Sequence, residues 1–236
     1  TSRVISATTS RGKNRDLDRF SSGTLNITAS NEDRAFDPNY ASSPYAGAIV
    51  PRREVRVTVD GVRVISTTID DWNYGYSPDG SSRAEIVATD EFTLLARQVL
   101  TAGTATPQLS GARVSAVLDM LSVAWPDDKR SIDVGESTLG ADVFAGNALQ
   151  YLQKISDSEQ GLLFIAKNGD LVFRDRLDAT PTTASLTDFT DDGTGIPFTL
   201  TAVNYGSELL YNQAVVTSGE LSAQADNDRS QVAYGV

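Results

Sequence analysis

The sequence predicts an α+β chain that is mainly β: a β-barrel or sandwich interrupted by a small α+β insertion domain. Three observations predict it. Apolar residues recur at every second position through the first ninety residues, the period changes to that of a helix at Asp90, and strand patterning resumes near Ile196. The N-terminal β part is therefore placed at 1–90, the insertion at 91–195 and returning strands at 196–236. The last strands are too few to form a domain by themselves, so the expectation is that they rejoin the N-terminal sheet.

The elements follow in order. Leu25, Ile27 and Ala29 alternate with Asn26, Thr28 and Ser30. Val55, Val57 and Val59 alternate, Asp60-Gly61 follows, and Val62 and Val64 resume. Asp-Gly between alternating β-branched runs marks a two-residue hairpin, because a type I′ turn needs positive φ at both positions. Thr67 to Tyr76 continues as a strand, and Ala84, Ile86 and Ala88 alternate after the next turn. Asp90 is placed to cap a helix carrying Phe92, Leu95, Ala96 and Val99 on one face. A second helix is predicted over 112–124, with Val114, Val117, Leu118 and Leu121 inward. A third runs from Asp142 to about Ser156, with Phe144, Ala148, Leu149, Leu152 and Ile155 inward. A hairpin across Asn168-Gly169 completes the helices-on-sheet pattern, about 91–178. Strands are expected again at Phe198–Tyr205 and Leu209–Thr217.

Composition removes several chemistries. The 236 residues are enough to bury a core, and 40% hydrophobic content argues against disorder. With neither Cys nor His, the chain has no disulfides, thiolate or imidazole metal ligands, or Ser-His and Cys-His nucleophile pairs. No stretch approaches the ~18 apolar residues of a membrane helix. The chain starts without Met and stops at Tyr234-Gly235-Val236 without a closing motif, which reads as part of a longer protein. Of its charges, 12 Lys/Arg and 13 Asp/Glu lie up to Arg97, against 8 and 18 beyond it. A net charge of −11 with no basic tract argues against nucleic-acid binding, which rests on neutralising phosphates.

The candidate sites are few. Asn31, Asp33 and Asp37 are oxygen donors on one loop, as a calcium site needs, but they lack the spacing, central Gly and closing Glu of an EF-hand, and Asx side chains favour local turn bonds. Asp70-Asp71 and Asp191-Asp192 are acid pairs of the kind that hydrolyse glycosides across a cleft, but adjacent acids on a strand point to opposite faces. Gly193 and Gly195 lack the helix and Lys of a phosphate loop. Trp72, Tyr74 and Tyr76 share one strand face, where they could stack on a glycan or form a core or interface stripe. No catalytic residue, metal or cofactor is assigned.

The stretch "LDRFSSGTLNITASNEDRAFDPNYASSPYAGAIVPRREVRV", with "IDDW", "ATDEFTLLAR", "ISDSEQGLLFIAKNGDLVFRDR" and "NYGSELLYN" following in order, resembles minor tail proteins of long-tailed phages of actinobacteria. These are similar to the central hub proteins of phage tail tips and baseplates. The resemblance covers about residues 11–217. It implies a hub-type β-barrel with an α/β insertion, assembled as a homotrimer at the distal end of the virion tail after assembly in the host cytoplasm. The implied role is structural, joining tail tube, tape measure and peripheral tip proteins and opening at infection. No membrane is implied in the assembled state, and DNA is only passing cargo. Under this resemblance, 31–53 reads as a shaped connection at a subunit contact, carried by Arg34, Phe36, Asp37, Tyr40, Tyr45, Arg52 and Arg53; Arg and Tyr combine apolar area with directional hydrogen bonds.

Overall fold

In the computed structural model, residues 3–13, 18–179, 190, 192 and 211–234 are described. The first ninety residues form β1 (Val4–Gly12), β2 (Ser21–Ser30), β3 (Glu54–Val59), β4 (Val62–Gly75) and β5 (Arg83–Thr89). They make one antiparallel sheet in the order β1-β2-β5-β4-β3. Asp60 and Gly61 have φ of 50° and 79°, both positive as the predicted turn demands, and Val59 pairs with Val62 across it. One face buries Leu25, Ile65, Ile69, Ile86 and Ala88. Leu25, Ile86 and Ala88 lie where the period-2 pattern assigns them, whereas on β4 the burial falls on Ile65 and Ile69, and Val59 and Val62 beside the turn are 57% and 59% exposed. Between Ile65 and Ile69 the alternation disappears and all five residues are buried. Here the second face of β4 is covered as well: Ser66 Oγ donates to the Lys167 carbonyl at 3.1 Å and Thr68 Oγ1 to Glu91 Oε1.

The middle region adds α1 (Phe92–Arg97), β6 (Gly103–Ala105), β7 (Gln108–Leu109), α2 (Ser110–Leu118), β8 (Arg130–Ile132), β9 (Thr138–Leu139) and β10 (Asp142–Phe144). It continues with α3 (Ala148–Glu159), β11 (Leu162–Ile165), β12 (Leu171–Arg174) and α4 (Arg176–Ala179). The helices pack on the sheet β11-β12-β8, in which β8 and β12 run parallel. Their shared core includes Phe92, Leu95, Val114, Val117, Leu118, Leu152, Ile155 and Phe173. The chain is thus mainly β with a few helices around a curled antiparallel sheet. Residues 1–182 form one compact unit containing both layers. Asp90 joins those layers: its carboxylate accepts from the Gly23 amide, Ser22 Oγ (2.7 Å) and the Phe92 amide (3.1 Å). Burial raises its pKa against these bonds.

Helix lengths differ from the sequence expectation, each for a local reason. The first helix ends at Arg97, leaving Val99 69% exposed. The second stops at Leu118 rather than Ala124. The Trp125 amide returns to the Leu118 carbonyl (2.9 Å), Ala124 takes φ 48°, and Trp125 is buried while Leu121, expected inward, is 99% exposed. The third begins at Ala148, not Asp142, because Asp142–Phe144 pairs with β6 and Asn147 caps the helix by accepting from the Gln150 amide at 2.8 Å.

Residues 183–236 form the other unit. In it, β13 (Gln213–Ser218) and β14 (Leu221–Asp226) make a hairpin followed by α5 (Asp228–Tyr234). The expected strand Phe198–Tyr205, Gly193, Gly195 and Asp191 lie outside the described residues; of the expected Leu209–Thr217 strand, the part from Gln213 is present as β13.

Candidate interaction site

Residues 31–53 are built from tandem turns. The amides of Arg34, Asp37, Tyr40, Ser43 and Ala46 each donate to the carbonyl three residues earlier, at 2.9–3.1 Å, so each turn opens on the residue that closed the one before. Side chains at the turn starts fix the series. Asn31 Oδ1 accepts from the Phe36 amide (2.8 Å), Asp37 Oδ1 from the Asn39 amide (2.9 Å) and Ser43 Oγ from the Tyr45 amide (3.0 Å), while Ser43 Oγ donates to the Ala35 carbonyl. Asp33 likewise accepts from the Ala35 amide (3.2 Å) and pairs with Arg3. A segment rich in Pro and Gly is thus held in one conformation by its own short polar side chains.

Trp72 of β4 anchors it. Phe36 stacks on Tyr45 (centroids 5.4 Å apart) and tilts against Trp72 (6.2 Å), whose Nε1 donates to the Val50 carbonyl at 3.1 Å. The Arg34 guanidinium lies 5.0 Å from the Tyr40 ring centroid and donates twice to Asp37 Oδ2, at 2.6 and 3.1 Å. Arg34 and the Asn39 amide hold the Asp37 carboxyl below the usual carboxylate range. Burial and the Asp37 carboxylate raise the Tyr76 phenol, and burial with Tyr76 and Asp37 raises Tyr74. Two groups predicted separately therefore meet: Arg34, Phe36, Asp37, Tyr40 and Tyr45 with Trp72, Tyr74 and Tyr76. Tyr45 and Tyr76 present their outer surfaces, at 41% and 56% exposed. The face combines aromatic area with one fixed guanidinium, a composition enriched in protein interfaces.

Arg52 and Arg53 stand apart from this group. Their backbones pair with Ile69 of β4, the Arg52 amide to the Ile69 carbonyl (2.8 Å) and the Ile69 amide to the Arg53 carbonyl (2.9 Å). Arg52 takes φ 62° and reaches Glu91 at 3.8 Å, whereas Arg53 is exposed and makes no ion pair among the described residues. Of the acid pairs, Asp70 accepts from Thr89 Oγ1 at 2.5 Å beside a bulge in β4, and Asp71 is exposed. Asn31, Ser43 and the Val50 carbonyl were not singled out as parts of one frame. A signal for them existed: Asn31, Asp37 and Ser43 recur six residues apart, and each residue type favours the first position of a turn. Among the described residues, no group of three or more carboxylates could hold a metal, and no helix is long and apolar enough to cross a membrane.

Removing the Trp72 anchor gives a local test. Trp72→Ala is expected to lower stability by about 1–3 kcal/mol, from lost packing and one hydrogen bond at a half-buried site. Limited proteolysis should then cut within 38–50 while the five-stranded sheet persists; an uncut connection at unchanged melting temperature would contradict the anchoring role.

No protein-family model matches this chain, and no curated protein matches it in sequence. Solved structures match it in fold. The chain is similar to a tail protein from Neisseria meningitidis MC58 (TM-score 0.61, 13% identity, over 94% of this chain and 62% of that one). It is also similar to the 43 kDa tail protein of prophage MuSo2 from Shewanella oneidensis (0.56, 16%, 94% and 63%). The fold is that of phage tail proteins. A third tail-protein neighbour is the prophage tail protein gp18 from Listeria monocytogenes (0.50, 10%, 98% and 63%). The chain spans less than two thirds of the length of each of these tail proteins.

Proposed function

We propose that this chain is a structural protein of a phage tail, of the minor tail protein type carried by long-tailed actinobacteriophages, and that it acts as a hub at the tail tip. The tail-protein fold, matched over 94% of the chain, is the observation that carries the reading. In this reading three copies form a ring that joins the tail tube to the tape measure and peripheral tip proteins and opens at infection. Residues 91–195 serve as an insertion in the hub barrel, and the tandem-turn connection provides a subunit contact. A rigid, outward aromatic-arginine face loses little conformational freedom on binding, which favours its use as a contact. In a ring of identical subunits every interface repeats the same substitution.

Arg53→Glu is therefore expected to leave the monomer folded and weaken assembly, as is the double change Arg52→Glu with Arg53→Glu. The single change is the cleaner test, because Arg52 also faces Glu91. Sedimentation equilibrium of the full-length protein at micromolar concentration measures it. A trimer of wild-type strength in both variants, with normal docking to tail tubes, would rule out the Arg52–Arg53 end of the connection as part of this contact.

A second reading, a carbohydrate-binding module of the tail tip, is favoured by one observation: a shallow cavity of about 390 Å³ lined by Tyr74, Tyr76, Asn73 and Glu85. Trp72, folded against Phe36, does not offer its ring to this cavity. A glycan array decides between the readings, with binding abolished by Tyr76→Ala required for the second.

A further inference from the structure

We propose that the cavity beside Arg113 binds a carboxylate group. Arg113 on α2 is 1% exposed. It donates from Nη1 to Tyr151 Oη at 3.3 Å and from Nη2 to the Thr106 and Gly140 carbonyls, each at 2.9 Å. Its Nε finds no acceptor, and no carboxylate touches the guanidinium, among the described residues. A buried charge compensated by neutral groups only is costly and attracts a counter-ion.

The charge nearby does not close the account within the protein. Tyr151 Oη in turn donates a hydrogen bond to Asp142 Oδ2 (3.3 Å), and Lys154 Nζ already holds that same oxygen at 2.9 Å. Lys154 and Asp142 neutralise each other, so the lining carries one guanidinium in excess. The cavity is about 320 Å³, at the small end of ligand pockets and sufficient for a side-chain-sized group. Leu139 and Ile155 flank it and offer apolar cover for the methylenes of an aliphatic acid. A single negative charge matches the excess; a phosphate dianion would face Asp142 with charge to spare. The occupant is thus a monocarboxylate, either a free aliphatic acid or an acidic side chain of another protein chain. This inference is independent of the tail assignment.

The test is a titration of the isotopically labelled full-length protein, followed through the amides of Gly140, Ala141 and Ser158, at constant ionic strength set with chloride. Acetate is expected to produce saturable shifts there and inorganic phosphate weaker ones. Lys154→Gln, a change at a 66%-exposed side chain, is expected to weaken acetate binding about fivefold, the scale of one exposed charge contact. Arg113→Met should abolish it; if that variant does not fold, Lys154→Gln remains decisive. A blocked Gly-Glu-Gly peptide separates the sources. Binding at least as strong as acetate, and absent for Gly-Gln-Gly, identifies a protein side chain; exclusion of the peptide with retained acetate binding identifies a free acid. Linear shifts with acetate, shifts matched by chloride, or shifts indifferent to Lys154→Gln would overturn the site and leave Arg113 as an internal tie between α2 and its neighbouring loops.

Discussion

Gly111→Ala is expected to destabilise the protein by more than about 3 kcal/mol, toward the extreme of single-residue effects. Helix propensity predicts the opposite sign: Ala is favoured over Gly by about 1 kcal/mol inside a helix, and Gly111 lies in α2. Packing decides against it. A Cβ at position 111 would stand 1.8 Å from the Asp133 carbonyl oxygen and 2.6 Å from that of Val134, both backbone atoms that cannot rotate away. The Gly111 amide also donates to the Val134 carbonyl at 3.0 Å, so relief of the clash breaks a hydrogen bond. Asp133 is fixed in turn by Arg174 at 2.7 Å and by the Asp175 amide. Urea unfolding monitored by fluorescence checks the result. A variant at least as stable as wild type would mean that the 133–137 loop yields and propensity governs.

The sequence made some of this arrangement legible and hid the rest. Strands with one covered face, such as Leu25-Ile27-Ala29 and Ala84-Ile86-Ala88, show themselves through period 2 because each side meets a different solvent. The buried run from Ile65 to Ile69 does not, since burial on both faces is a tertiary property. Phe92, Leu95, Leu152 and Ile155 reach the core as their helical spacing requires. Helix ends depend on pairings outside the helix, such as that of Asp142–Phe144 with β6, that no local pattern records. At the candidate site the residue types were readable, and the association of Phe36 with Trp72 was not, because 36 positions separate them. Glu159 is the instructive omission. It stands four residues after Ile155 and seven after Leu152, on the apolar face of α3, where an acid signals a buried partner set.

Glu159 is that partner set's centre, and replacing it tests both charge and pH. The side chain is fully buried. Oε2 accepts from Ser110 Oγ at 2.6 Å and the Ser137 amide at 2.8 Å, Oε1 accepts from the Glu136 amide at 3.2 Å, and Arg176 lies 3.8 Å away. Burial pushes its pKa up, but the donors from Ser110, Ser137 and Glu136 together outweigh it and bring the carboxyl down to about 2 from 4.5. The folded pKa is depressed, so the stabilisation is present above about pH 4.5 and is lost as pH falls toward 2. Glu159→Gln is expected to cost about 3 kcal/mol or more at pH 7: each hydrogen bond to a charged acceptor contributes about 1.5–3 kcal/mol, and the new amide turns a donor toward existing donors. Since Glu159 and Gly111 hold the same loop onto α2, their effects should be less than additive in the double variant. Other carboxylates also titrate in acid, so the quantity to measure is the difference in unfolding free energy between wild type and Glu159→Gln from pH 7 to pH 2.5. That difference should be constant above pH 5 and shrink below pH 4.5. A difference independent of pH would show that shape, rather than the charge of Glu159, holds the loop.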